Sequence, residues 1–186
     1  SPDSYFVTAG AESPVTPGAP LPTYGKPLGK LEGKDWLSTV NQGILQFGRE
    51  GQTLDLLVFR EVLDLVARVD RALSAPRGCL LLAGRAGVGR KSAVRIVSAL
   101  HGAKLHSLKL GRGYTVKNFK NDLKAMIQLA AVDGEQVYLM IEDHQLVHIS
   151  FLDMINSLLL SGEVTTLTTL LHLSLTRETT TKTATK

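Results

Sequence analysis

Cysteine is nearly absent from this chain. With Cys79 alone, no disulfide can close within it and no cysteine-rich metal site can be assembled. Aromatic residues make up only 5% of the 186 positions, so Leu, Val, Ile and Ala must build the core from an apolar fraction of 44%. No apolar run reaches the roughly 18 residues of a membrane span, and no signal-peptide pattern opens the chain, so a soluble, intracellular protein without membrane insertion is expected. The cation excess is small, a net charge of +4, and the basic residues are scattered rather than gathered on one stripe. A nucleic-acid partner is therefore not expected. Cys79 precedes an apolar run and is read as a small buried residue in a reducing compartment. The chain opens on Ser1 rather than methionine and is expected to be a piece of something longer.

Proline is scarce except at one end, six of the seven prolines falling in residues 1–30. That composition is read as an extended, poorly packed arm over residues 1–32, unable to sustain helix or sheet. Beyond it, apolar residues recur at helical spacing. Trp36, Leu37, Val40, Ile44 and Phe47 mark a helix over 33–50, and Val58, Val62, Leu65, Val69 and Ala72 mark another over 53–74. "CLLLAG" at 79–84 is an uninterrupted apolar run, the pattern of a strand buried on both faces of a parallel sheet.

Strands and helices then alternate. A helix is predicted from the loop at 84–92 to His101-Gly102, and a half-buried strand at 104–110. Residues 115–134 form a helix with Phe119, Leu123, Met126, Ile127 and Ala130 on one side. A second apolar strand, "QVYLMIED", follows, and then a helix capped by Ser150 and stopped by Gly162. This order predicts an α/β fold with a parallel sheet covered on both sides, a three-layer αβα arrangement. Residues 165–186 differ in kind. Ten of those 22 are threonine, and they are read as one possible extra strand at Leu170–Leu175 followed by disorder.

The chemistry concentrates at "LLLAGRAGVGRKS", Leu80–Ser92. Gly84 and Gly89 have the spacing of a phosphate-binding loop, and Gly87 is its inner glycine. Such a loop holds phosphates with backbone N–H groups and the positive end of the following helix. In the usual G-x-x-x-x-G-K-[ST] pattern a lysine neutralises the outer phosphates and a hydroxyl holds magnesium. Here Arg90 takes the lysine position, Lys91 takes the hydroxyl position, and Ser92 comes one residue late. The candidate nucleotide-binding residues are Gly84, Arg85, Ala86, Gly87, Val88, Gly89, Arg90, Lys91 and Ser92. The acidic end of "VYLMIED" matches the second phosphate-site motif, with Asp143 as the candidate magnesium-side ligand. His144 occupies the place of the activating glutamate. Glu142 is the remaining candidate catalytic carboxylate, its side chain expected on the opposite face of the strand. His144 and His148, at i,i+4, lack an acidic partner for a zinc site. Lys117, Lys120 and Lys124 read as a solvated helix face.

The stretches "PRGCLLLAGRAGVGRKSAVRIVSALHG", "GYTVKNFKNDLKAMIQLA" and "FLDMINSLLLSGEV" together resemble the fourth AAA+ module of dynein heavy chains, in particular the branch that serves intraflagellar transport. The resemblance covers about residues 5–164 and stops at Val164, where dyneins continue with a Pro-Gly segment. It implies a partial AAA+ P-loop NTPase large subdomain over 33–164, incomplete at its C-terminus. It also implies ATP or ADP with Mg at the loop, and a site completed by an arginine from a neighbouring AAA+ module. The implied partners are those neighbouring modules, and, through the full motor, the microtubule and the dynein light and intermediate chains. The altered loop and His144 imply a regulatory module with slow or no hydrolysis. The other readings are a nucleotide-free structural segment of a large assembly and a small stand-alone P-loop NTPase. The missing lysine-serine pair and base disfavour the last.

Overall fold

Two-residue alternation and helical periodicity compete in the first third of the chain, and the computed structural model shows where each prevails. Residues 4–11, 25–49, 54, 56–75, 78–132 and 136–161 are described. They fall into two compact units, Ser1–Leu105 and His106–Lys186.

In the first unit, β1 (Ser4–Val7) pairs antiparallel with β2 (Gly29–Glu32), Ser4 opposite Glu32 and Val7 opposite Gly29. The expectation of a poorly packed arm thus fails at both ends of the proline-rich segment. None of the prolines lies inside either strand, so the ladder keeps its N–H donors. Val7 is fully buried.

Helix α1 (Gly33–Arg49) follows the predicted span and buries Trp36, Val40, Gly43 and Phe47. Its indole Nε1 at Trp36 donates to the Leu63 carbonyl at 3.1 Å. Helix α2 (Arg60–Ser74) starts later than predicted. Before it the chain is extended: Leu54, Leu56 and Val58 pack inward, while Leu57 and Phe59 are 86% and 53% exposed. That two-residue alternation belongs to extended backbone, so Val58, expected on the helix face, lies ahead of the helix. Helix α3 (Arg90–His101) ends as predicted, with Gly102 in the left-handed conformation and its N–H bonded to the Ala99 carbonyl at 3.1 Å. The three helices and β1 enclose a core that includes Val7, Trp36, Val40, Val62, Val66, Val69, Ile96 and Val97.

The predicted strand at 79–84 does not form a ladder among the described residues. Of the described strands, β1 pairs with β2 and β3 with β4, so the continuous parallel sheet of a three-layer sandwich is not assembled among them. Leu81 is 91% exposed, and Cys79, expected to be buried, is exposed. An unbroken apolar run is buried on both faces only when strands flank it and helices cover it. Among the described residues no strand pairs with this run.

Strand β3 (Lys104–Ser107), whose last two residues open the second unit, pairs with β4 (Val137–Met140), each shorter than the sequence predicts. Helix α4 (Val116–Ala131) buries Phe119, Leu123 and Met126, whereas Ala130, assigned to that face, is exposed. The Thr115 N–H and hydroxyl both bond to Asn118 Oδ1, at 3.0 and 2.6 Å, which ties off the helix start. Helix α5 (Ile149–Ser161) begins one residue before Ser150, so Ser150 lies inside the helix and does not cap it. Gly162 and the 165–186 tail, with its strand candidate, lie outside the described residues. Phe119 stacks on Phe151 with ring centroids 4.2 Å apart, and Tyr114 meets Phe151 edge-on at 6.0 Å. Burial, together with the acceptor Asp122, pushes the Tyr114 phenol well above its usual range. No helix among the described residues is long and apolar enough to cross a membrane.

Candidate phosphate-binding loop

The loop between the extended run and α3 is built on backbone conformations that residues with a side chain rarely adopt. Gly84, Gly87 and Gly89 have φ of +148°, +85° and +79°. A Cβ placed on Gly84 or Gly87 would meet nothing within 4 Å, and one on Gly89 only Leu56 Cδ1 at 3.7 Å. Glycine is therefore needed for the path of the chain and for the open space beside it, not to avoid a clash. Residues 83–88 are all exposed. The first turn of α3 closes with the Ala93 N–H on the Gly89 carbonyl at 2.8 Å. Gly89, as N-cap, offers no side-chain acceptor, so the earlier N–H groups of the helix are left for a ligand or water. An open cradle, glycine backbone and a helix N-terminus together fit a phosphate.

Side chains at the loop depart from the usual set in a way that sequence alone does not show. Arg90 folds back over the loop. Its Nη1 donates to the Leu82 carbonyl at 2.9 Å and its Nη2 to the Arg85 carbonyl at 3.0 Å. Lys91 is exposed, Ser92 is half-buried, and Arg85, Ala86 and Val88 line the exposed rim. A cation at the hydroxyl position cannot coordinate magnesium, so the loop itself gives the metal little.

The acidic motif lies in the second unit. Strand β4 ends at Met140, before the carboxylates, so strand alternation does not govern Glu142 and Asp143. Asp143–Gln145 is a single 3₁₀ turn. The Asp143 side chain is fully exposed, and Glu142 is 20% exposed. His144 Nδ1 lies 3.6 Å from Glu142 Oε2 and 3.9 Å from Asp143 Oδ1, so both carboxylates lean toward one imidazole. Gln145 holds the turn in place. Its Nε2 donates to the Leu108 carbonyl and its Oε1 accepts from the Glu142 N–H, both at 2.8 Å. No cluster of three or more metal-ligating side chains occurs among the described residues.

A second polar centre carries no sequence motif. Asp70 is fully buried on α2, and His101 Nε2 at the end of α3 donates to it at 2.8 Å. Where β1 ends, the Thr8 and Ala9 N–H groups leave the ladder and find Asp70 at 2.6 and 3.2 Å, and the Thr8 hydroxyl joins at 2.9 Å. The aspartate falls on the helix face of Val62, Val66 and Val69, where periodicity predicts an apolar side chain. That break was the available signal. A cavity of about 370 Å³ beside Lys26, Pro27, Leu28, Arg71, Ser74 and Ala75 shares no residue with the phosphate loop.

Comparison with known proteins identifies the family. Residues 54–186 match the family described as the P-loop containing dynein motor region D4. The chain belongs to that dynein D4 family. It is 53% identical over 172 residues to human cytoplasmic dynein 2 heavy chain 1, covering 90% of this chain and 4% of that protein. The same heavy chain of Tripneustes gratilla is 50% identical over 160 residues, covering 86% of this chain and 4% of the relative. That of Chlamydomonas reinhardtii is 45% identical over 118 residues, 63% of this chain and 3% of the relative. The chain thus spans a small fraction of the length of these relatives. Its mixed α/β architecture is that of a partial AAA+ large subdomain of dynein D4.

Proposed function

We propose that this chain is the nucleotide-binding part of the fourth AAA+ module of a cytoplasmic dynein 2 heavy chain, and that the module regulates the motor with little hydrolysis of its own. One observation carries the reading: three glycines in positive φ open a cradle directly ahead of the α3 N-terminus. ATP or ADP would be held at Gly84–Ser92 by backbone N–H groups and the helix dipole. The Asp143 carboxylate would lie on the magnesium side, and Glu142 would serve as the catalytic carboxylate.

Phosphoryl transfer needs a placed water, a held magnesium and charge stabilisation at the transferred group. His144 stands where the water-activating glutamate is expected, and Lys91 stands where the metal-holding hydroxyl is expected. Loss of one general acid–base group costs on the order of a hundredfold or more in rate. Binding and turnover therefore part company, and the nucleotide acts as a wedge between modules. The intact heavy chain would be an ATP-driven, minus-end-directed microtubule motor for retrograde intraflagellar transport, working in the cytoplasm, on the cytoskeleton and in the cilium. Its partners would be the neighbouring AAA+ modules, the microtubule and the light and intermediate chains. The names and identities of the relatives support this setting.

Thermal unfolding of the whole chain tests the reading. Saturating ADP or ATP with magnesium should raise the melting temperature, by the equivalent of about 2.7 kcal/mol at a hundredfold excess over Kd. Gly89→Val should abolish the shift, because a branched residue there cannot keep the positive φ of +79° on which the path of the loop depends. No shift at millimolar nucleotide would favour a nucleotide-free structural segment.

A further inference from the structure

We propose that Arg90 is a positioning residue that clasps the phosphate loop rather than a phosphate ligand, and that the loop consequently takes a nucleoside diphosphate as readily as a triphosphate. The second clause rests on the nucleotide-binding reading above. The first rests on geometry alone.

The guanidinium uses two different nitrogens for two different carbonyls, Nη1 for Leu82 and Nη2 for Arg85. Those carbonyls flank Gly84, the glycine at which the loop begins, with φ of +148°. The chain before the loop has no ladder to hold it among the described residues, and Leu81 beside the clasp is 91% exposed. Arg90 is the first residue of α3, so the clasp fastens the entry of the loop to the start of the helix that closes it. A planar fork with fixed separation between its donors can bridge two carbonyls in this way, whereas a lysine ammonium is a single point on a flexible stem. Redirecting the guanidinium to a phosphate would break both bonds.

The consequence for the ligand follows from the inventory. In the usual loop the lysine at this position meets the β- and γ-phosphates and so senses the third phosphate. Here both terminal nitrogens at that position are turned to the loop's own backbone. The inner phosphates still have the glycine backbone and the α3 N-terminus, which do not depend on a γ-phosphate. The site is thus built to hold a diphosphate group, with no side chain at position 90 to reward a triphosphate.

The test has two readouts on the whole chain. Guanidinium nitrogen-proton NMR is recorded without nucleotide, with Arg90→Lys used to assign the signals. A clasped Arg90 shows separate, slowly exchanging Nη protons that persist in saturating ADP-magnesium and ATP-magnesium. Calorimetric Kd values for ADP and ATP then agree within about threefold, and Arg90→Lys raises the preference for ATP about tenfold or more. Averaged Nη protons in the free chain, or Nη signals that move on nucleotide addition, overturn the clasp. An ATP preference of about tenfold or more in the unaltered chain that Arg90→Ala removes makes Arg90 a phosphate ligand and overturns the proposal. If neither nucleotide binds, the functional reading and the diphosphate clause fall together, while the free-chain spectrum still decides the clasp.

Discussion

Asp70 shows how one side chain can hold a unit together. Carboxylates are seldom fully buried unless every lone pair is used. Here the acceptors meet the Thr8 N–H, the Thr8 hydroxyl, the Ala9 N–H and His101 Nε2. Burial pushes its pKa up, but the His101 hydrogen bond, the Thr8 bonds and the attraction of His101 outweigh it, leaving the carboxyl below its ordinary 3.8. A depressed carboxyl contributes stability that is present above pH 3.8 and lost as the pH falls through the lower folded value. Asp70→Ala also strands two buried N–H groups, at about 1–3 kcal/mol each. The expected result is a loss of roughly 3 kcal/mol or more at pH 7, narrowing below about pH 4. Urea unfolding of both forms at pH 7 and pH 3 checks this, and a gap that stays constant between the two would argue against a charged Asp70. None of these partners is near in sequence, so only a break in the apolar stripe of α2 announced the site.

At the scale of elements, the helices were legible and their packing was not. The α1 and α3 spans follow from periodicity and glycine caps, but their crossing turns on Gly43, which reads in sequence as an ordinary helix glycine. A Cβ there would lie 2.9 Å from Leu100 Cγ and 3.0 Å from Ile96 Cγ2. Gly43→Ala gains up to about 1 kcal/mol in helix propensity and loses about 1–3 kcal/mol to overpacking, so a net destabilisation is expected in the unfolding midpoint. The second unit depends on the Phe119–Phe151 stack that joins α4 to α5. Phe151→Ala should cost about 3–5 kcal/mol and speed amide exchange across both helices. Exchange that changes in α5 alone would show that the two helices are not one cooperative unit.

For the whole molecule, the question is whether binding and turnover separate. In the motor proposed above, disabling the first and third modules should leave ATP hydrolysis close to background. Restoring the expected chemistry with Lys91→Ser together with His144→Glu should raise that rate by about a hundredfold or more. Steady-state phosphate release is the measurement. A rate near that of the intact motor before these changes, unaltered by His144→Ala, would defeat the assignment of a silent site.

What the sequence determined by itself is what local rules determine. The glycine spacing at 84–89 sets a backbone path that only glycine follows easily, and three helical stripes and two acidic positions are visible without coordinates. The tertiary structure decided the rest, because those outcomes depend on residues far apart in the chain. The N-terminal segment joins the core because its strand ends lie clear of the prolines and meet each other across the proline-rich stretch. In the apolar run at 79–84 only Leu82 packs on the core, and Cys79 and Leu81 are exposed, because no described strand pairs with the run. Arg90 reads as a conservative stand-in for lysine, but folding placed two backbone carbonyls within its reach and turned it into a clasp. A residue's type sets which bonds it can make. Which of them it makes depends on the groups that folding brings beside it.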